Sequence, residues 1–138
     1  MLRLSRRVEY ALLALYHLAR HPGIVTAREI AHAYNLSSEF LAKVLQQLSR
    51  AGLIRAHHGV HGGYSLLQPP EMITLAMVID AVEGEWGGLV ECRGDEHRCH
   101  IFPQCTIRHP LAVLEHRLHD LLASMTLAEL VGYSQAEL

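Results

Sequence analysis

The chain has 138 residues, half of them apolar, which is enough to bury one core and too apolar for a disordered segment. No run of eighteen apolar residues occurs, which excludes a helical membrane span. The net charge of −2 hides a split: residues 1–65 carry eight Lys/Arg against three acids, whereas residues 66–138 carry four against eleven. A basic front half suits a phosphate surface, and an acidic back half would be repelled by one.

The opening MLRLSRRVEYALLALYHLAR is basic and then apolar, as in a secretory leader, but Glu9, His17 and Arg20 interrupt it and no small-residue cleavage site follows. A cytoplasmic protein is expected. Val8, Ala11, Leu12, Leu15, Leu18 and Ala19 recur at helical spacing, predicting a helix from about Arg6 to Arg20 that stops at Pro22-Gly23. Thr26-Ala27-Arg28-Glu29 has the form of a capping box opening a second, short helix that ends near Tyr34-Asn35. After the tight connection Asn35-Leu36-Ser37, a third helix is predicted from Ser38 to Arg50, with Leu41, Val44, Leu45 and Leu48 inward and Gly52 as its stop. Leu53–His57 and Tyr64–Leu67 flank a glycine-rich tip and predict a β-hairpin.

Thr74 starts a further amphipathic helix that Gly84 ends. Residues 85–107 show neither helical nor strand periodicity and contain all three cysteines, so those cysteines are the natural organisers of the stretch. Pro110 suits the first turn of a long helix in which Leu111, Leu114, Leu118, Leu121 and Met125 form a two-heptad seam; it serves either a second helix or an internal core. Thr126-Leu127-Ala128-Glu129 repeats the capping box and starts a terminal helical turn. The expected division is residues 1–84 for DNA binding, 85–107 for a cysteine-containing loop that would hold a metal, a cluster or redox thiols, and 108–138 for dimerisation. The fold class is mainly α with a small β-hairpin, a winged helix-turn-helix followed by a long C-terminal dimerisation helix.

In such a unit the third helix enters the major groove with its N-terminal residues at the base edges. Ser37, Ser38 and Glu39 occupy that end. The serine hydroxyls suit phosphates or bases, and Glu39 either accepts from a cytosine amine or favours the helix dipole. Lys43, the only lysine, is placed for a phosphate. In the wing, Gly59, Gly62 and Gly63 permit close backbone approach, while Arg55, His57, His58 and His61 supply donors for a narrow minor groove.

Cys92-x6-Cys99-x5-Cys105 supplies three soft donors in one segment, a pattern that speaks for a metal or redox site rather than a disulfide framework. An iron–sulfur cluster, zinc and free thiols all remain open at this level. A four-ligand site needs one more donor, from His97, His100, His109, Glu9 or a small molecule. No nucleophile–base pair, phosphate loop or carboxylate dyad is present, so catalysis is not expected.

The segments VEYALLALYHLA, TAREIAHAYNLSSEFLAKVLQQLSRAGLI, GVHGGYSL, ITLAMVIDAVEG, the three cysteines and TLAEL run through nearly the whole chain. Together they resemble the Rrf-type winged helix-turn-helix regulators, the family of IscR-like and NsrR-like iron–sulfur sensors. The resemblance implies a homodimeric repressor on a double-stranded DNA operator, with Cys92, Cys99 and Cys105 on one cluster per subunit. In the iron–sulfur-assembly branch a histidine follows the last cysteine by three residues; Arg108 stands there, leaving His109 as the substitute. In the nitric-oxide branch an acidic residue of the first helix reaches the partner's cluster, and Glu9 matches it. Glu9 is the favoured fourth ligand, His109 the alternative. CHIFPQC-TIRHPL lies nearer the nitric-oxide branch, favouring [4Fe–4S] over [2Fe–2S]. His58 replaces the wing arginine of the assembly branch.

Overall fold

The computed structural model describes residues 2–84, 88–90, 97 and 99–135. Helix α1 spans Arg6–Arg20, as predicted, and starts on Ser5, whose hydroxyl accepts from the Val8 N–H. It buries Val8, Tyr10, Ala11, Ala14, Leu15 and Leu18, leaving Leu12 and Ala19 only partly covered. Helix α2 (Ala27–Tyr34) opens on Thr26, whose Oγ1 accepts from the Glu29 N–H at 3.1 Å, the hydroxyl half of the capping box.

The turn between α2 and the next helix is set by one residue. Asn35 adopts the left-handed conformation (φ 52°), which lets the Leu36 N–H reach back to the Ala31 carbonyl at 2.8 Å. Helix α3 (Ser38–Arg50) follows, with Leu41, Val44, Leu45 and Leu48 all sealed in the core. It ends in the same hydrogen-bond pattern: Gly52 (φ 79°) lets Leu53 N–H bond the Leu48 carbonyl and its own N–H bond that of Ser49. Truncating a fully buried leucine of this stripe would cost roughly 2–5 kcal/mol.

Strands β1 (Ile54–His57) and β2 (Gly63–Leu66) pair antiparallel, Ile54 opposite Leu66 and His57 opposite Gly63. The hairpin is stitched to the linker after α1 by two backbone bonds between Val25 and Tyr64, at 2.8 and 2.9 Å. A 3-10 turn, Pro70–Met72, leads into helix α4 (Leu75–Glu83), which is capped by the Thr74 hydroxyl and ended by Gly84. Helix α4 packs on α1 and α3, and Gln47 of α3 donates to the Val82 carbonyl.

Helix α5 (Arg108–Ser124) is unlike the others, because none of its seventeen residues is fully buried. Helix α6 (Leu127–Gln135) returns to α1 and is longer than the single turn expected. It is anchored by Leu127, 1% exposed, whose N–H donates to the Ile73 carbonyl at 2.7 Å. The fold is thus the expected one, mainly helical with one antiparallel hairpin. One position needs correction. Met125 lies beyond α5 in extended conformation, and its carbonyl accepts from the Leu75 N–H at 2.9 Å. The helical seam therefore stops at Leu121, because the chain must leave the helix to pair Thr126 with Thr74.

Candidate nucleic-acid interface and cysteine segment

The inward stripe of α3 determines its outward one. With Leu41, Val44, Leu45 and Leu48 facing the core, Ser38, Glu39 and Lys43 fall on the solvent side, and all three are exposed, as is the capping Ser37. The Ser37 hydroxyl accepts from the Phe40 N–H at a long 3.4 Å, and its own N–H donates to the phenol oxygen of Tyr10 on α1 at 3.2 Å. Glu39, in the first turn, favours the positive end of the helix dipole.

The same stripe continues through two residues not singled out in the sequence. Gln46 and Arg50 are exposed three and seven positions after Lys43. The signal was available, since they occupy the phase complementary to the buried leucines. Gln46 offers the paired amide groups that match adenine in the major groove, and Arg50 offers a phosphate donor. Arg28, exposed in the first turn of α2, adds a further cation.

In the wing, Arg55, His58, Gly59 and His61 are exposed, and Val60 at the tip is 97% exposed. His57 differs from the expectation of a free donor: it is half-buried and its Nε2 pairs with the Ser65 hydroxyl at 2.7 Å. Two of the glycines have internal work. A Cβ on Gly62 would stand 2.4 Å from the His57 carbonyl, and one on Gly63 would stand 2.6 Å from that of Val25. A side chain at Gly63 would push the wing off the α1–α2 linker and one at Gly62 would push apart the hairpin tip itself, so these glycines shape the tip before any DNA arrives.

Cys99 and Cys105 are both half-buried, and Cys92 lies outside the described residues. The segment between the two described cysteines is a 3-10 turn, Phe102–Gln104; the Phe102 N–H donates to the Cys99 carbonyl and the Cys105 N–H to that of Phe102, each at 3.2 Å. Arg108, in the place where the assembly branch has histidine, lays its guanidinium over the Phe102 ring at 4.1 Å. Glu115, further along α5, accepts from the Leu89 N–H. Arg108 thereby ties the cysteine-bearing turn to the start of the long helix, and Glu115 ties Leu89 to its middle.

Among the described residues no three His, Cys, Asp or Glu side chains converge to hold a metal ion. Glu9 is exposed on α1, with the Arg6 guanidinium 3.9 Å away, and His100 and His109 are exposed; His97 is exposed as well. At the far end of α1, His17 and His21 stack with ring centroids 3.9 Å apart, and His17 Nδ1 lies 3.2 Å from the Tyr34 hydroxyl. Burial first, and the neighbouring His21 second, hold the His17 imidazole below its ordinary titration range. No helix among the described residues is long and apolar enough to cross a membrane.

Comparison with known proteins agrees with this geometry. The chain is 30% identical over 133 residues to the HTH-type transcriptional regulator NsrR of Bacillus licheniformis, spanning 94% of this chain and 92% of that one. It is similar to the solved structure of CymR, the global cysteine regulator of B. subtilis, with a TM-score of 0.73 and 29% identity over 96% of this chain and 98% of that one. T. potens IscR shares the fold, with a TM-score of 0.75 at 24% identity over 99% and 93% of the two chains. The family model described as Rrf2, iron-dependent transcriptional regulator, matches residues 4–133. The winged helix-turn-helix and the match along almost the whole chain place it among regulators rather than catalysts, and it belongs to the Rrf2 family of transcriptional regulators.

Proposed function

We propose that the chain is a homodimeric, sequence-specific repressor of the cytoplasm that senses nitric oxide, iron or redox state through an iron–sulfur cluster. Residues 1–84 bind the operator, 85–107 hold the cluster, and 108–138 pair the protomers. The observation that carries the sensor reading is the joint between the cysteine turn and the start of α5, made by the Arg108 guanidinium over the Phe102 ring. Through that contact a change at the cysteines would reach the helix that would set the distance between two DNA-reading heads.

The donor set fits the group. Thiolates are the usual anchors of iron–sulfur clusters, and Cys99 and Cys105 are half-buried, not sealed in the core. Cys92, Cys99 and Cys105 would hold the cluster, [4Fe–4S] in preference to [2Fe–2S]. Glu9 of the partner subunit would complete it, with His109 as the alternative. When bound, the cluster supplies reversible electron transfer and iron that small molecules can reach. A carboxylate is a harder ligand than a thiolate and is the one most easily lost, which makes Glu9 the natural point of response.

On DNA, Ser37, Ser38 and Glu39 face the major-groove base edges and Lys43 meets a phosphate, joined by Gln46 and Arg50 on the same exposed stripe. The wing, with Arg55, His58, Gly59 and His61, follows the backbone into the minor groove over the tip that Gly62 and Gly63 shape; His57 steadies it from within. The seam of Leu111, Leu114, Leu118 and Leu121 pairs two copies so that their α3 helices match half-sites about one helical turn apart.

The deciding experiment is anaerobic purification followed by a visible spectrum, iron and sulfide analysis, and binding of the loaded and apo forms to DNA upstream of the chain's own gene. Iron-linked absorbance together with a loaded-versus-apo difference in affinity is expected. A colourless protein with stoichiometric zinc would replace the cluster by a zinc site, and a colourless metal-free one by redox-active thiols. Equal binding of both forms would leave a constitutive DNA binder.

A further inference from the structure

We propose that Tyr10 is a specificity-positioning residue, whose phenol, reaching from α1, sets how the first turn of α3 meets the bases. The role is additional to cluster sensing and does not depend on it. Ser37 is the residue on which α3 begins, and an N-cap N–H has no partner within its own helix. Here that N–H donates to the Tyr10 oxygen at 3.2 Å, across 27 positions of sequence. The Tyr10 ring is 8% exposed and stands edge-on to Phe40, with centroids 4.9 Å apart and planes at 86°. One rigid side chain thus holds the first turn of α3 from behind at two points.

The front of the same turn presents exposed Ser37, Ser38 and Glu39. The local alternative for fixing it, the Ser37 hydroxyl on the Phe40 N–H, is long at 3.4 Å. Hydrogen bonds to base edges tolerate little displacement, whereas a phosphate contact through a flexible lysine or arginine stem follows the backbone. Loosening the turn therefore affects base reading first and charge-driven binding last.

Tyr10→Phe keeps the ring and removes one oxygen. The specific probe is the duplex that the wild-type protein recovers from a randomised pool, and the non-specific probe is sheared DNA of mixed sequence. The net worth of one neutral hydrogen bond sets the expected loss on the specific probe at about fivefold to tenfold. Affinity for mixed-sequence DNA, and its salt dependence, should stay unchanged. Equal losses on both probes would mean that Tyr10 serves stability alone and would overturn the role, as would no loss on either. If Tyr10→Phe fails to fold, Phe40→Leu tests the second contact by the same criterion, a loss confined to the specific probe. If the wild-type protein recovers no preferred duplex, both the role and sequence-specific binding are overturned.

Discussion

The long helix offers a quantitative test of pairing between protomers. Leu114 is 45% exposed and Leu121 63% exposed, one turn-pair apart on a helix that buries none of its residues fully. Complete burial of a leucine side chain contributes about 1.5–3 kcal/mol. With roughly half of each side chain already covered, each leucine should gain about 1 kcal/mol on pairing. Two leucines in each of two protomers then give about 4 kcal/mol, close to a thousandfold in the dimer dissociation constant. The double variant Leu114→Ala, Leu121→Ala should raise that constant accordingly, as measured by sedimentation over a dilution series. Because both side chains stand outside the core, the winged unit should keep its thermal transition. A dissociation constant altered by less than tenfold would refute α5 as the pairing surface.

Lys43→Ala should weaken binding to every DNA sequence and lower the slope of log affinity against log salt by about one per protomer; an unchanged slope removes Lys43 from the phosphate contacts. Cys99→Ala should abolish the cluster's visible absorbance while leaving the dimer intact in sedimentation, and full absorbance in that variant would refute the ligand assignment. His17 gives a pH dependence with a defined sign. Its folded-state pKa is lowered, by burial and then by His21, so between that value and the unfolded one the unfolded chain binds more protons. The stability it contributes is complete above about pH 6.5 and is lost as the pH falls toward the lowered folded value. His17→Asn should flatten the dependence of urea midpoints on pH in that range; the same slope as wild type would show that His17 does not carry it.

The head of the molecule was readable because its signals are local. Thr26, Ser37, Thr74 and Thr126 each precede a helix and each hydroxyl accepts from a backbone N–H three residues on. The leucines of α3 repeat at helical period, and that period alone gives the exposed stripe through Gln46 and Arg50. What the sequence hides is contact across distance. Nothing in the spacing of Tyr10 and Ser37 announces their bond, nor does His57 announce that Ser65 occupies it. Gly62 and Gly63 read as letting the backbone approach a groove, whereas the structure also needs their missing side chains because the protein's own backbone carbonyls crowd them. Met125 fitted the heptad by arithmetic, but backbone pairing with Leu75 draws it out of the helix.

The two ends of α5 are held by different kinds of bond, and this bears on how a signal would travel. At its C-terminal end the chain is fastened to the head by backbone hydrogen bonds, Met125 accepting from Leu75 and Leu127 donating to Ile73, beside a sealed Leu127 side chain. At its N-terminal end the fastening is made by a side chain, Arg108 on Phe102 in the cysteine-bearing turn, and at mid-helix Glu115 accepts from the Leu89 N–H. Backbone pairing next to buried apolar surface yields less readily than an exposed cation–π contact, which is worth about 0.5–1 kcal/mol. A rearrangement at the cysteines would therefore move the N-terminal end of α5 about a fixed C-terminal end. In a dimer paired through this helix, such a pivot changes the spacing of two α3 helices without disturbing the core that holds either one.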